Sequence, residues 1–150
     1  MKIAVFPGSF DPITLGHENI IKRGLSLFDK IIIGLGENSD KKCMFSLESR
    51  IKFISKTFND SDKIEIKPYK GLTVNFCKKN NAKYILRGIR NSEDYEYEKI
   101  IAFTNMKMSG IETIFLLSDP EYSYLSSTTV RELINNNGNY KLFLPSGISI

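Results

Sequence analysis

The sequence predicts an α/β protein in which helices cover both faces of a doubly wound parallel sheet. Short apolar runs alternate along the chain with longer stretches whose apolar residues recur at helical spacing. Such alternation is typical of βαβ units. The run at residues 31–35 is continuously apolar, as expected of a strand that is covered on both faces.

Strands and helices are expected in strict alternation. The apolar runs predict strands at residues 3–6, 30–36, 64–68, 84–86 and 113–117. Helical spacing predicts helices at residues 15–28, 47–58, 72–80, 93–108 and 127–136. Ser46 can cap the second helix, and Gly138 stops the last one. Ligands of such sheets bind at the carboxyl ends of the strands, so residues that follow strands are the candidates for function.

Length and composition predict one domain that spans residues 1–150. Hydrophobic residues make up 41% and charged residues 25%, which is ordinary for a soluble globular protein. No run is long enough to span a membrane, so no membrane partner is expected. Two cysteines imply no disulfide framework and no zinc site, which favours a cytoplasmic location.

The net charge of +4 indicates an anionic ligand. The lysines are scattered and form no block of like charge. A small anion is therefore favoured over nucleic acid, and we expect no nucleic-acid partner.

The most informative segment follows the first predicted strand. It contains Ser9, Phe10, Thr14, Gly16 and His17, in a turn rich in glycine and proline that leads into a helix. A helix N-terminus offers unpaired N–H groups and a partial positive charge, and Gly16 lets a phosphate approach the backbone. His17, the single histidine, can then donate a hydrogen bond to that phosphate. A capping or core role for His17 is the simpler alternative, and Asp11 and Thr14 can shape the turn.

Basic residues follow three further predicted strands. Lys41-Lys42 comes after the second strand, and Lys70-Gly71-Leu72-Thr73 follows the third. Arg87-Gly88-Ile89-Arg90 follows the fourth, where an arginine fork suits phosphate and the glycine leaves room for a nucleotide. Surface lysines and simple helix capping are the alternatives for the first two segments, and an exposed pair of arginines is the alternative for the third.

The last strand is followed by Tyr122, Ser123, Tyr124, Leu125, Ser126, Ser127 and Thr128, with Arg131 one turn further on. The three hydroxyl residues open a helix, so they can form a second phosphate cradle. Plain N-capping with spare hydroxyls is the alternative.

These segments carry a family resemblance. Residues 8–17, which end in Thr14-Leu15-Gly16-His17, resemble the T/HxGH motif of the nucleotidyltransferase superfamily. The threonine at position 14 is similar to that of the phosphopantetheine adenylyltransferase branch. Three later segments are similar to further motifs of that branch, in the same order: Arg87-Gly88-Ile89-Arg90, residues 94–98 and residues 125–130. The resemblance covers about residues 3–145 and implies a Rossmann-like nucleotidyltransferase fold.

The resemblance implies a role for each matching residue. His17, Lys41 and Arg90 are expected to be catalytic, and Ser9, Lys41, Leu72, Thr73 and Arg87 to bind the acceptor, 4′-phosphopantetheine. The residues expected to bind ATP are Ser9, Phe10, His17, Gly88, Ile89, Arg90, Glu98, Tyr122, Ser123, Tyr124, Leu125, Ser126, Ser127 and Thr128. Mg²⁺ is expected to accompany ATP, and no metal-ligating side chain is expected. Family members are commonly hexamers inhibited by coenzyme A, so both properties are expected here.

The implied reaction forms dephospho-coenzyme A and pyrophosphate by direct attack of the acceptor phosphate on ATP. Such an attack needs alignment and charge neutralisation rather than a general base. One alternative is a related nucleotidyltransferase with another acceptor, such as nicotinamide mononucleotide. A non-catalytic nucleotide-binding module is the other alternative, and it would release no pyrophosphate.

Overall fold

Five parallel strands form one sheet in the computed structural model, which describes residues 1–150. The strands are β1 (Ile3–Gly8), β2 (Lys30–Gly36), β3 (Ile64–Tyr69), β4 (Tyr84–Ile89) and β5 (Glu112–Leu117). They lie in the order β3-β2-β1-β4-β5, and each neighbouring pair is parallel. The predicted fold class is confirmed.

Five α-helices connect and follow the strands: α1 (Leu15–Gly24), α2 (Leu47–Thr57), α3 (Thr73–Lys79), α4 (Ser92–Ser109) and α5 (Ser127–Asn135). Two short 3-10 helices, Pro120–Tyr122 and Tyr140–Phe143, were not expected from the sequence. None of the helices combines the length and the apolar character that crossing a membrane requires.

Alternate residues of β1 enter two separate hydrophobic cores. Ala4 and Phe6 pack in a core with side chains of α1 and α2, whereas Val5 packs with side chains of α3. Helix α4 lies on the same face as α3, because Tyr95 packs edge-on against Phe115 of β5, with ring centroids 6.1 Å apart. The sheet is therefore covered on both faces, as predicted.

Helix α1 ends at Gly24, four residues before the predicted end at residue 28. The N–H groups of Leu27 and Phe28 both bond to the Gly24 carbonyl, at 2.9 and 3.0 Å. This tight turn buries Phe28 in the core, and the chain then enters β2. The apolar periodicity continues to residue 28 because Phe28 packs into the core from the turn that follows the helix.

Strand β4 extends to Ile89, so Arg87 and Gly88 lie within the strand rather than after it. Pairing with β5 continues to Ile89 and Leu117, and this pairing holds the extension. An arginine and a glycine do not resemble the interior of a buried strand, which is why the sequence pattern ended at residue 86.

The sheet opens between its first and fourth strands. β1 pairs with β2 along its whole length, up to Gly8 and Leu35. It pairs with β4 only at Ala4–Tyr84 and Val5–Ile85. The two strands therefore separate towards their carboxyl ends, at the switch point where doubly wound sheets bind their ligands.

We predict that Gly24→Ala destabilises the protein although alanine favours helices. The added Cβ would lie 2.6 Å from Leu86 Cδ2 and 2.9 Å from Ile31 Cδ1. Overpacking costs about 1–3 kcal/mol, which exceeds the roughly 1 kcal/mol gained in helix propensity. Urea unfolding measures the change. Ser55→Ala, at an exposed position of α2, is the control and should not destabilise.

Candidate active site

Two cavities lie at the carboxyl ends of β1 and β4. The larger, of about 1080 Å³, extends between the loop after β2, the end of β3 and helix α4. The smaller, of about 310 Å³, lies between the turn after β1, the end of β4 and the start of α5. The residues that line both cavities are Pro7, Gly8, Ser9, Lys41, Arg87 and Glu98.

His17 faces the smaller cavity from the first turn of α1. The Thr14 N–H donates to its Nδ1 at 3.0 Å, while the Thr14 hydroxyl accepts from the His17 N–H at 3.4 Å. These reciprocal bonds cap the helix. Since Nδ1 accepts a hydrogen bond, the neutral imidazole carries its proton on Nε2. His17 is therefore both a cap and a donor, and the two alternatives from the sequence are compatible.

Its surroundings keep His17 neutral. The ring packs near Phe6 and Phe10, with centroids 6.4 and 5.1 Å away. Burial, together with the positive charges of Arg87 and Arg90, lowers the pKa of His17 from 6.5 to about 4. At neutral pH the Nε2–H is thus a fixed hydrogen-bond donor without a full charge.

Arg87 bridges the gap between β1 and β4. Its Nη1 donates to the Pro7 carbonyl, and its Nε and Nη2 form a two-point contact with the Glu98 carboxylate, with Nε at 3.0 Å. Glu98 is 8% exposed, so its carboxylate is largely shielded from water, whereas 30% of the Arg87 side chain is exposed. Two of the five guanidinium N–H groups remain for a ligand, one on each terminal nitrogen.

Arg90 is held in a similar way at the end of β4. Its Nε and Nη2 donate to Asp94 at 2.9 and 3.2 Å, and its Nη1 donates to the Leu125 carbonyl at 3.2 Å. Burial raises the pKa of Asp94, but the hydrogen bonds from Arg90 outweigh it and lower that pKa overall.

The hydroxyls at the start of α5 have partners within the protein. The Ser126 hydroxyl caps the helix by accepting from the Thr129 N–H at 3.1 Å. The Ser127 hydroxyl donates to the Pro12 carbonyl at 2.8 Å, and Thr128 Oγ1 accepts from Arg131 at 3.1 Å. The donors that remain here are the first backbone N–H groups of the helix, which have no carbonyl in a preceding turn, and the O–H of Thr128, whose oxygen only accepts from Arg131.

Lys41 reaches the boundary between the two cavities. It belongs to the loop of residues 37–46 between β2 and α2, and its Nζ donates to the Ser9 hydroxyl at 2.9 Å. Its ammonium therefore lies beside the turn after β1, close to the wall that Arg87 also lines.

The structure gathers most of the predicted site residues. Those around the smaller cavity are Ser9, Phe10, His17, Gly88, Arg90, Glu98, Tyr122, Leu125, Ser126, Ser127 and Thr128. Ser9, Lys41, Thr73 and Arg87 line the larger cavity. Leu72, Ile89, Ser123 and Tyr124 lie outside both linings, and their predicted contacts stay predictions.

Sequence reasoning missed several residues of the larger cavity. Arg50, Tyr97 and Asn105 line it, and Arg50 is only 6% exposed. The sequence did contain a signal for Arg50, namely its position at helical spacing from Phe53 and Ile54, with which it forms the buried stripe of α2. An arginine on an apolar stripe needs polar partners in the fold. Tyr97 belongs to the motif of residues 94–98 but was assigned no role, and Asn105 lies in a part of the same helix without such a signal.

No cluster of three or more histidine, cysteine, aspartate or glutamate side chains could hold a metal ion. The carboxylates nearest the smaller cavity, Asp94 and Glu98, already pair with arginines. A divalent cation at this site would therefore take its ligands chiefly from the phosphates of a nucleotide.

The sequence matches proteins of one family over its whole length. The profile of the Cytidylyltransferase-like family matches residues 5–133. A phosphopantetheine adenylyltransferase of Christiangramia forsetii is 56% identical over 145 residues, which are 97% of this chain and 96% of the relative. The phosphopantetheine adenylyltransferase of Clostridium tetani is 44% identical over 149 residues, 99% of this chain and 93% of the relative.

Solved structures share the fold at low identity. A bifunctional NMN adenylyltransferase/ADP ribose pyrophosphatase from Francisella tularensis has a TM-score of 0.73 at 22% identity, covering 98% of this chain and 46% of that one. A nicotinic acid mononucleotide adenylyltransferase from Plasmodium falciparum has a TM-score of 0.65 at 18% identity, covering 97% and 91%. These structures show the fold alone. By its profile and its full-length relatives, the chain belongs to the phosphopantetheine adenylyltransferases of the Cytidylyltransferase-like family.

Proposed function

We propose that this nucleotidyltransferase of coenzyme A biosynthesis transfers the adenylyl group of ATP to 4′-phosphopantetheine by direct in-line attack. The observation that carries the proposal is the meeting of two cavities at a shared wall of Lys41 and Arg87. For an adenylyl group to pass from ATP to an acceptor phosphate, both phosphates must lie beside the same cationic side chains. The relatives' name supplies the identity of the acceptor.

The larger cavity suits the acceptor. Its wall shared with the smaller cavity carries Lys41 and Arg87, which can neutralise a terminal phosphate. Thr73 and Ile101 lie further along the same cavity, where an uncharged arm would be accommodated. Leu72, which is 55% exposed, does not line the cavity but stands between its lining residues Gly71 and Thr73, from where it can close over that arm.

The smaller cavity suits the phosphates of ATP. Arg90 and the N–H groups at the start of α5 can hold the β- and γ-phosphates, while His17 Nε2 can donate to the α-phosphate. Most of the remaining residues predicted to bind ATP line the same cavity. Ile89, Ser123 and Tyr124 do not line it, but each is adjacent in sequence to a residue that does.

The chemistry needs no covalent intermediate. An oxygen of the acceptor phosphate attacks the α-phosphorus, and the bond from that phosphorus to the bridging oxygen of the β-phosphate breaks. Pyrophosphate leaves, and the attacking phosphate is already an anion at neutral pH. The contribution of the protein is therefore alignment, together with stabilisation of charge on the α-phosphate by His17, Lys41 and Arg90. Mg²⁺ bound to ATP would supply further charge neutralisation.

Three further properties belong to this proposal. The chain acts in the cytoplasm, in keeping with its two free cysteines. It assembles as a hexamer, and helix α4 offers a surface for such contacts, since Tyr97, Ile100 and Phe103 are 65–69% exposed. Coenzyme A, which shares the pantetheine arm of the acceptor, acts as a feedback inhibitor.

The acceptor is tested by pyrophosphate release from Mg-ATP with 4′-phosphopantetheine, and with nicotinamide mononucleotide as the control acceptor. We expect release with phosphopantetheine alone, with dephospho-coenzyme A as co-product. Release with the nicotinamide nucleotide instead would show that the acceptor is a different phosphate compound. Binding of ATP without any release would contradict the catalytic proposal.

His17→Ala is expected to lower kcat by a factor of about 10²–10³ with a much smaller rise in the KM for ATP, because the lost bond strengthens as charge develops. Steady-state kinetics measure the split, with unfolding checked in parallel since His17 also caps α1. Lys22→Gln, exposed on the same helix, is the control. Equal losses in ATP binding and turnover would count against the role of His17.

The lowered pKa of His17 predicts a pH dependence of stability. Because its folded pKa of about 4 lies below the ordinary 6.5, the unfolded chain binds more protons in between. The contribution of this group is present above pH 6.5 and is lost as the pH falls towards 4. Between pH 7 and 5 the wild type should lose about 2 kcal/mol more than His17→Gln in urea unfolding. Identical losses in both proteins would show that His17 titrates normally.

A further inference from the structure

The loop that carries Lys41 has few local bonds to fix it. Within residues 37–46 the Lys41 N–H bonds to the Asn38 carbonyl at 3.1 Å, and the Asp40 N–H bonds to Asn38 Oδ1 at 3.0 Å. Lys41, Lys42 and Asp40 are exposed. A long lysine side chain on such a loop gains a defined position only if the loop is anchored elsewhere.

One anchor is the buried carboxylate of Asp11, which is 3% exposed. Its two oxygens accept from the backbone N–H groups of Met44 and Phe45, at 2.8 and 2.9 Å. Arg131 lies 3.9 Å from the carboxylate and donates to the Asp11 carbonyl at 2.8 Å. The sequence suggested that Asp11 shapes its own turn, whereas its side chain ties that turn to the Lys41 loop.

The second anchor is Arg50 of α2. Its Nη1 donates to the Ser9 carbonyl at 2.8 Å and its Nε donates to the Phe45 carbonyl at 3.2 Å. No carboxylate lies within salt-bridge distance of this buried guanidinium. Ser9 is also the residue whose hydroxyl accepts from Lys41. Arg50 therefore holds both ends of the contact between the turn after β1 and the Lys41 loop.

We propose that Asp11 and Arg50 are positioning residues for the acceptor phosphate. Together they clamp the loop of residues 37–46 to the turn after β1 and so place the Lys41 ammonium at the wall between the cavities. Because Arg50 has no carboxylate partner, its charge also adds to the positive potential at that wall. The inference rests on the proposed role of Lys41 in binding the acceptor.

The principal test compares Arg50→Lys with Lys41→Ala and with the double variant. Arg50→Lys keeps the charge and removes the two-point contact, so the loss of one or two hydrogen bonds should raise the KM for 4′-phosphopantetheine about tenfold, with the KM for ATP changed by about twofold or less. In the Lys41→Ala background the same substitution should add little, because Arg50 acts through Lys41. Additive effects, or equal rises in both KM values, would overturn the proposal.

A second measurement, hydrogen exchange, tests the proposal independently of activity and so applies to variants that fold poorly. Hydrogen exchange in Arg50→Lys and in Asp11→Asn should increase in residues 38–45, with β1 and β2 unchanged. Increased exchange throughout the sheet would show a general structural role and overturn the proposal. Lys52→Gln removes an exposed charge two residues away on α2 and should alter neither readout.

The outcomes also separate this inference from the role of Lys41. If Lys41→Ala leaves the acceptor KM unchanged, the proposed role of Lys41 fails and the inference fails with it. If Lys41→Ala raises that KM and Arg50→Lys does not, the clamp alone is wrong.

Discussion

The contact between Arg87 and the Pro7 carbonyl is the interaction on which the site depends. β1 and β4 separate after Val5, so the β1 carbonyl at Pro7 lacks a ladder partner on the β4 side. Arg87 supplies that partner with its side chain instead of its backbone. The open sheet is thereby held at a fixed width, and the group that holds it is a cation that faces both cavities.

The carboxylates of α4 decide how that cation can act. A guanidinium held on one side by Glu98 has little freedom to rotate, and its free N–H groups point into the cavities with little further cost in entropy. Asp94 does the same for Arg90. Each carboxylate neutralises part of the positive charge of its arginine but fixes the orientation of the guanidinium. For a reaction that depends on alignment, the fixed orientation matters more than the lost charge.

The sequence predicted the fold because strand and helix periodicities are local properties. It also predicted many of the residues that line the smaller cavity but few of those that line the larger one, since a parallel sheet brings only the segments after its strands to one edge. It did not predict which partner each side chain finds. Asp11 bonds to Met44 and Phe45, which are more than thirty residues away, and no local pattern encodes that contact. Motif membership likewise does not fix direction, so Ser123 and Tyr124 lie outside the cavity that Tyr122 and Leu125 line.

The single histidine shows how the parts of the site depend on one another. A protonated imidazole could not accept from the Thr14 N–H, so charging His17 would break the cap of α1. Arg87 and Arg90, which we propose bind phosphates, also disfavour that charge. The same two cations thus supply positive charge for the ligands and keep the neighbouring donor neutral and correctly oriented. This coupling leaves His17 with a single tautomer, so the direction of its Nε2–H is set before the proposed nucleotide binds.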